Sequence, residues 1–212
     1  MAVPADQSVR ARRVITRSPT RTVGRFPSLK CGRTIHWESQ LERDFVLRLE
    51  FDEHVVSYRE QPETIEVPWQ GRTRRYTPDF LAVTNAFRIF YEVKPKAKLE
   101  DAELTDFLAQ VERIYNGRGH QFTVVTETDI RQAPVLDNIS VLLRYRRHPV
   151  DLAVERRVEA ALRFGARPIS ELMTELSMGA AEIYALLARR RLTADLDQKL
   201  GLRASVTWSG GR

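Results

Sequence analysis

The chain has 212 residues, a hydrophobic fraction of 42% and a formal net charge of +6, which suits one mid-sized domain and a small one. No apolar run approaches the ~20 residues that a membrane helix needs, and the start lacks the apolar stretch of a secretory signal, so a cytoplasmic protein is expected. The single cysteine, Cys31, excludes an internal disulfide framework and a cysteine-built zinc site, and the four histidines (His36, His54, His120, His148) are scattered.

Charge is unevenly spread. Residues 1–33 hold eight Lys/Arg and one acid, residues 34–150 hold 16 and 19, and residues 151–212 hold 10 and 8. The excess sits in the N-terminal stretch, and residues 1–22 read as a basic flexible tail. Such arms commonly contact phosphate backbones, although a solvated tail has the same composition. Beyond it, Phe26 and Leu29 are the natural anchors by which residues 23–30 can order against the body.

From Glu38 to Glu50 the pattern is helical: Leu41, Phe45 and Leu49 recur every four residues and Val46 widens the stripe. Glu38 and Glu42 lie one turn apart on one side. Glu42 stands at the edge of the apolar face, where an acid can look into a cleft or pair with an arginine in solvent. Strand-like segments follow at Val55–Tyr58 and Thr64–Trp69. After a turn at Gly71, Arg72–Tyr76 leads into a strand behind Pro78-Asp79, and Phe87–Lys94 returns across a hairpin turn at Thr84-Asn85-Ala86-Phe87. A helix is predicted from Leu99 to Tyr115, with Leu104, Leu108, Val111 and Tyr115 on one side. Asn116-Gly117 stops it. Phe122–Val125 reads as a short strand buried on both faces, and a helix over Val135–Arg146 closes the domain. The order predicts a mixed sheet flanked by helices.

Glu92 and Lys94 are two apart on a strand and therefore share a face, with Tyr91 and Val93 on the other. If the strand of Asp79 pairs with it, two carboxylates and an ammonium converge. Carboxylates so placed suit a hard divalent cation such as Mg²⁺, which keeps several waters. The lysine can stabilise a scissile phosphate, or orient and deprotonate an attacking water. An ordinary surface hairpin with a Glu–Lys pair would carry the same residues.

Pro78-Asp79 followed by Glu92-Val93-Lys94 resembles the PD-(D/E)XK nuclease signature. Ser39-Gln40-Leu41-Glu42-Arg43-Asp44-Phe45, Tyr58-Arg59-Glu60-Gln61-Pro62, Arg75-Tyr76-Thr77-Pro78-Asp79-Phe80 and Glu92-Val93-Lys94-Pro95, in that order, resemble the N-terminal nuclease domain of the TnsA family over residues 23–150. The resemblance implies an α/β restriction-endonuclease-like fold and a metal-dependent DNA endonuclease that cuts 5′ transposon ends. It also implies a DDE-type transposase subunit and an ATPase regulator as partners, and double-stranded DNA as substrate. It places the acidic helix residue on Glu42, the metal aspartate on Asp79 and the strand pair on Glu92 and Lys94. One or two Mg²⁺ ions, with Mn²⁺ as substitute, would then be held by Glu42, Asp79, Glu92 and the Val93 carbonyl. Gln61 is a secondary site candidate, or else an amide satisfying backbone at a strand start. Arg75, Lys96 and Lys98 are candidates for DNA contact, with Arg72 and Arg74 in the same ambiguous position at the hairpin mouth. Other readings are a stand-alone phage or plasmid nuclease, and a DNA-binding or docking module that uses the nuclease fold as scaffold.

The C-terminal part, residues 151–212, reads as helix, turn, helix and two strands. Helices are expected over Asp151–Arg163, Pro168–Leu176 and Ala180–Arg191, then strands at Leu192–Leu196 and Ser205–Trp208. This order resembles a winged helix. Arg189-Arg190-Arg191 ends its second turn-linked helix, but that helix is otherwise poor in base-reading residues, so DNA binding and protein docking stay open.

Overall fold

The computed structural model of the protein describes residues 22–210. Strands β1 (Gly24–Pro27) and β2 (Thr34–Trp37) form an antiparallel hairpin ahead of helix α1 (Gln40–Phe51). There follow β3 (Val55–Glu60), β4 (Ile65–Trp69), β5 (Arg72–Tyr76), β6 (Phe80–Thr84) and β7 (Arg88–Val93). A 3-10 turn (Lys96–Glu100), α2 (Ala102–Gly117), β8 (Gln121–Val125) and a short α3 (Glu127–Ile130) complete the first of two units, which ends at Ile130.

The first unit is built on a mixed sheet in the order β3-β6-β7-β8, antiparallel except for the parallel β7–β8 pair. Period-two alternation sends its side chains to two cores. On one face, Phe80, Ala82 and Val93 meet Leu41, Phe45, Val46 and Leu49, the predicted stripe of α1. On the other, Leu81, Phe90 and Phe122 meet Phe107, Leu108, Val111 and Tyr115 of α2, together with Ile65 and Val67. Those last two belong to a separate ribbon, β4–β5. The chain therefore changes sheets between Tyr76 and Phe80, where Pro78 has no N–H to give to a ladder.

Three local expectations differ. Phe26 packs on the first core, but Leu29 is 47% exposed; the 28–30 segment is tied instead by Glu50. That buried carboxylate accepts from Ser28 Oγ (2.6 Å), the Leu29 N–H (2.8 Å) and Tyr58 Oη (2.8 Å). Strand β8 is the sheet's edge: Phe122 is buried toward α2, but on the other face Gln121 and Thr123 are exposed and Val125 alone enters the first core. Helix α2 begins at Ala102 behind the cap Asp101, because the preceding residues wind into the 3-10 turn.

The second unit runs from Arg131 and comprises α4 (Val135–Tyr145), α5 (Leu152–Leu162), β9 (Arg167–Pro168), α6 (Ile169–Leu176), α7 (Ala180–Ala188), β10 (Leu192–Ala194) and β11 (Ser205–Trp208). Its sheet has the order β10-β11-β9. Val158, Leu162, Ile169, Leu172, Ile183, Leu186, Leu192 and Val206 are buried in it. Helix α4, expected to close the first domain, lies in this unit. Asn138, 4% exposed, is the reason: its Nδ2 donates to the carbonyls of Leu196 (2.9 Å) and Gln198 (2.8 Å), and its Oδ1 accepts from the Leu200 N–H (2.9 Å). One amide thus clamps the loop between β10 and β11 onto α4.

Helix α7 ends three residues earlier than expected, and all of its residues are buried or half-buried. The arginines beyond it are engaged within the unit. Arg189 donates to the carbonyls of Arg146 and His148, and Arg191 bonds Glu155 and lies 5.3 Å over the Trp208 ring.

Asn138→Ala would strip three backbone groups of their partner in a buried place. It is expected to lower stability by about 2–4 kcal/mol, read as a fall in the urea midpoint of the second unit's unfolding.

Candidate active site

Strand β6 pairs with β7 through Phe80↔Tyr91 and Leu81↔Phe90, and continuing that register by one residue sets Asp79 opposite Glu92. Both then share the face of Leu81 and Phe90, which looks toward α2. The pairing is visible in atoms: the Val93 N–H donates to Asp79 Oδ2 (2.8 Å). Lys94 Nζ bonds Glu92 Oε1 and lies 3.9 Å from Asp79 Oδ2. Three of the predicted residues are therefore brought together as the strand argument requires. Glu92 is 4% exposed, while the Asp79 side chain keeps 23% of its surface.

Tyr76, to which the sequence reading gave no role, supplies the other partner of Glu92: its hydroxyl donates to Oε2 at 2.5 Å. Burial and then the neighbouring Glu92 push this phenol's pKa far up, so it remains a donor throughout the working pH range. The signal in the sequence is its place at the end of β5, paired with Ile65, three residues before Asp79.

Glu42 is held differently. Ser39 caps α1, accepting from the Glu42 N–H (3.1 Å). In return the Glu42 carboxylate accepts from Ser39 Oγ (3.0 Å) and the Glu38 N–H (2.7 Å). This is a variant of the capping box, legible as Ser39-x-x-Glu42 ahead of an apolar run, in which the glutamate takes the N–H of Glu38, one residue before the cap. Burial raises the Glu42 pKa against these two bonds, and its charge is felt at both Asp79 and Lys94. Among the described residues no group of three or more Asp, Glu, His or Cys stands ready to hold a metal ion.

Gln61 lies beside Asp79 and next to Glu38. Its N–H donates to the Asp79 carbonyl (2.8 Å) and its Nε2 to Glu38 Oε1 (2.7 Å). Its φ is 45°, in the left-handed region, and its buried Oε1 has no hydrogen-bond partner. Strained backbone and an orphaned acceptor in one residue are features that concentrate at functional sites. The surface candidates are spread out. Lys96 and Lys98 lie exposed in the turn after Pro95, and the Lys96 N–H donates to Glu127. Arg75 is exposed opposite Glu66, on the face of the ribbon away from Tyr76, whereas Arg74 stacks 4.2 Å over Phe107.

The electrostatics decide what fits here. Glu42, Asp79 and Glu92 bring three formal negative charges against the one of Lys94. Burial, then Glu92, and more weakly Glu42, raise the Asp79 pKa well above the usual aspartate value, against Lys94 and the Val93 N–H. Burial would lower the Lys94 pKa, but Asp79, Glu92 and Glu42 together raise it. The three carboxylates thus favour the charged form of Lys94. A divalent cation fits this donor set, with Asp79 and Glu92 as its carboxylates and waters completing the shell, as Mg²⁺ commonly takes them. Glu42 holds both of its oxygens in hydrogen bonds at the start of α1.

The Asp79 shift has a testable sign. Its folded carboxyl holds a proton to higher pH than the unfolded one, so the native state loses stability as pH rises through and above the ordinary aspartate range. Asp79→Asn should therefore raise the melting temperature at pH 7–8 in chelator. The gain should fade below about pH 4, near the unperturbed pKa. Melts of both proteins across pH check this.

No curated protein matches the chain. Residues 52–127, which hold Gln61, Tyr76, Asp79, Glu92 and Lys94, match the family model described as TnsA-like endonuclease N terminal.

Proposed function

We propose that the protein is a metal-dependent DNA endonuclease that hydrolyses phosphodiester bonds. The observation that carries this reading is the meeting of Asp79, Glu92 and Lys94 at the open end of β6 and β7. Asp79 and Glu92 would hold Mg²⁺, with the Val93 carbonyl as a further oxygen and Glu42 acting through water. When bound, the ion would supply charge stabilisation to the phosphoryl oxygens and a more acidic water. Lys94, fixed on Glu92 and favoured in its charged form, places an ammonium where negative charge accumulates on the attacked phosphate. Gln61 offers its free carbonyl oxygen to orient a water beside Asp79.

Within that reading the chain acts as the TnsA-like subunit that cuts 5′ transposon ends in the cytoplasm, beside a DDE-type transposase and an ATPase regulator. The second unit, read from its element order as a winged-helix-like module, serves docking. Its α7, the helix placed to read bases, exposes no residue fully, and two of the three terminal arginines are spent on internal contacts. The basic stretch 1–22, which lies outside the described residues but for its last, supplies phosphate contacts. Exposed Lys96, Lys98 and Arg75 stand closer to the site in sequence.

Supercoiled plasmid, with the protein alone and with its transposase partner, tests the activity. Mg²⁺ or Mn²⁺ should support nicking or cutting, and Asp79→Ala should abolish it while DNA binding is kept or strengthened. Undiminished cleavage by folded Asp79→Ala protein would refute the mechanism. Deleting residues 1–22 should weaken binding alike for all sequences, and each lost phosphate contact should flatten the log–log salt slope by about 0.9. An unchanged slope would show that the arm does not touch DNA.

A further inference from the structure

Two pieces of backbone meet at the site, and each orients the carboxylate of the other. The segment 76–79 gives Glu92 a hydroxyl from Tyr76 (2.5 Å), and the segment 92–94 gives Asp79 an N–H from Val93 (2.8 Å). The first segment is fixed at three points. Tyr76 is paired with Ile65 in the ribbon, the Thr77 hydroxyl bonds that of Thr64 (2.7 Å), and the Asp79 carbonyl accepts from the Gln61 N–H (2.8 Å). The Tyr76 ring is wedged edge-on against Phe107 (5.7 Å) and Phe122 (6.2 Å).

We propose that Tyr76 is a positioning residue for Glu92: its hydroxyl takes Oε2 and leaves Oε1 to Lys94, fixing the carboxylate in the orientation that serves the ion under the function proposed above. The alternative is that the phenol merely satisfies a buried oxygen. A buried carboxylate needs donors, but it does not need them from a side chain whose ring, strand and following residues are all pinned. Glu92 has few rotamers open to it while both oxygens are claimed from opposite partners. Removing the hydroxyl leaves Oε2 without its donor and frees the carboxylate to turn about its bond to Lys94. Partners that orient ligands in this way usually govern metal affinity by about 10–100-fold.

The experiment is a titration of Mn²⁺ into the full chain without DNA, by calorimetry, with a thermal melt of each variant in chelator. Tyr76→Phe keeps the ring and its packing and should raise the Mn²⁺ dissociation constant by about 10–100-fold. Glu92→Asp, which withdraws the carboxylate by one methylene without touching the aromatic core, should give a loss of similar size. Combining it with Tyr76→Phe should add nothing. Thr64→Val removes the neighbouring hydroxyl bond and should lower the melting temperature while leaving the dissociation constant within about two-fold of wild type. Tyr76→Phe, or Glu92→Asp if the former does not fold, binding as tightly as wild type would overturn the proposal. So would an equal loss from Thr64→Val, since any loosening of the ribbon would then suffice. Wild-type protein that takes up no Mn²⁺ would overturn the metal reading and this role with it, an outcome told apart from the others by the first titration.

Discussion

Two carboxylates side by side in a poorly hydrated place repel one another, and the site is arranged around that repulsion. Lys94 answers part of it, touching Glu92 and approaching Asp79 at 3.9 Å. Glu92 is served by a hydroxyl and an ammonium, whereas Asp79 has one N–H and a cation at the limit of pairing distance. The imbalance singles out Asp79 as the group that gains most from a further positive charge. Preorganised fields of this kind are what an enzyme retains between turnovers, since dipoles already in place need not reorganise during reaction.

Much of this was legible in the residues because it depends on local periodicity. The α1 stripe, the 84–87 turn and the shared face of Glu92 and Lys94 all follow from spacings of 3.6 and 2, and the Thr84 N–H to Phe87 carbonyl bond (2.9 Å) closes the turn as expected. Asp79 opposite Glu92 required only that the two strands pair. What was not legible depends on distant partners. The β1–β2 hairpin has four-residue strands with no strong pattern, held by a carboxylate 20 or more residues away in Glu50. Helix α4 has an ordinary amphipathic face, and its allegiance to the second unit is set by Asn138 reaching residues 196–200. Tyr76 stood in the sequence only as the end of a strand, and its hydroxyl reaches Glu92 only once the ribbon and the sheet are folded together.

Glu42 illustrates a different difficulty: two physical roles share one sequence signature. Its position at the edge of the apolar stripe points toward a cleft, and Ser39-x-x-Glu42 equally describes a helix cap. The structure shows the cap formed, with the residue's charge still sensed at Asp79 and Lys94. The start of α1 and the electrostatics of the site are consequently coupled through one side chain.

The switch of sheets at Thr77-Pro78 has a mechanical consequence. Because β5 and β6 share no ladder, the ribbon β4–β5 is a handle attached to the sheet through a joint only three residues long, and the joint contains Asp79. Since Tyr76 and Thr77 are pinned and lead directly into Asp79, a shift of the ribbon as a whole would carry Tyr76 and Asp79 with it. The far end of that lever rests on α2, where Trp69 and Arg74 contact the same phenylalanine, Phe107 (5.4 and 4.2 Å). Whatever presses on that helix surface is therefore only one aromatic ring away from the strand that leads into the carboxylates.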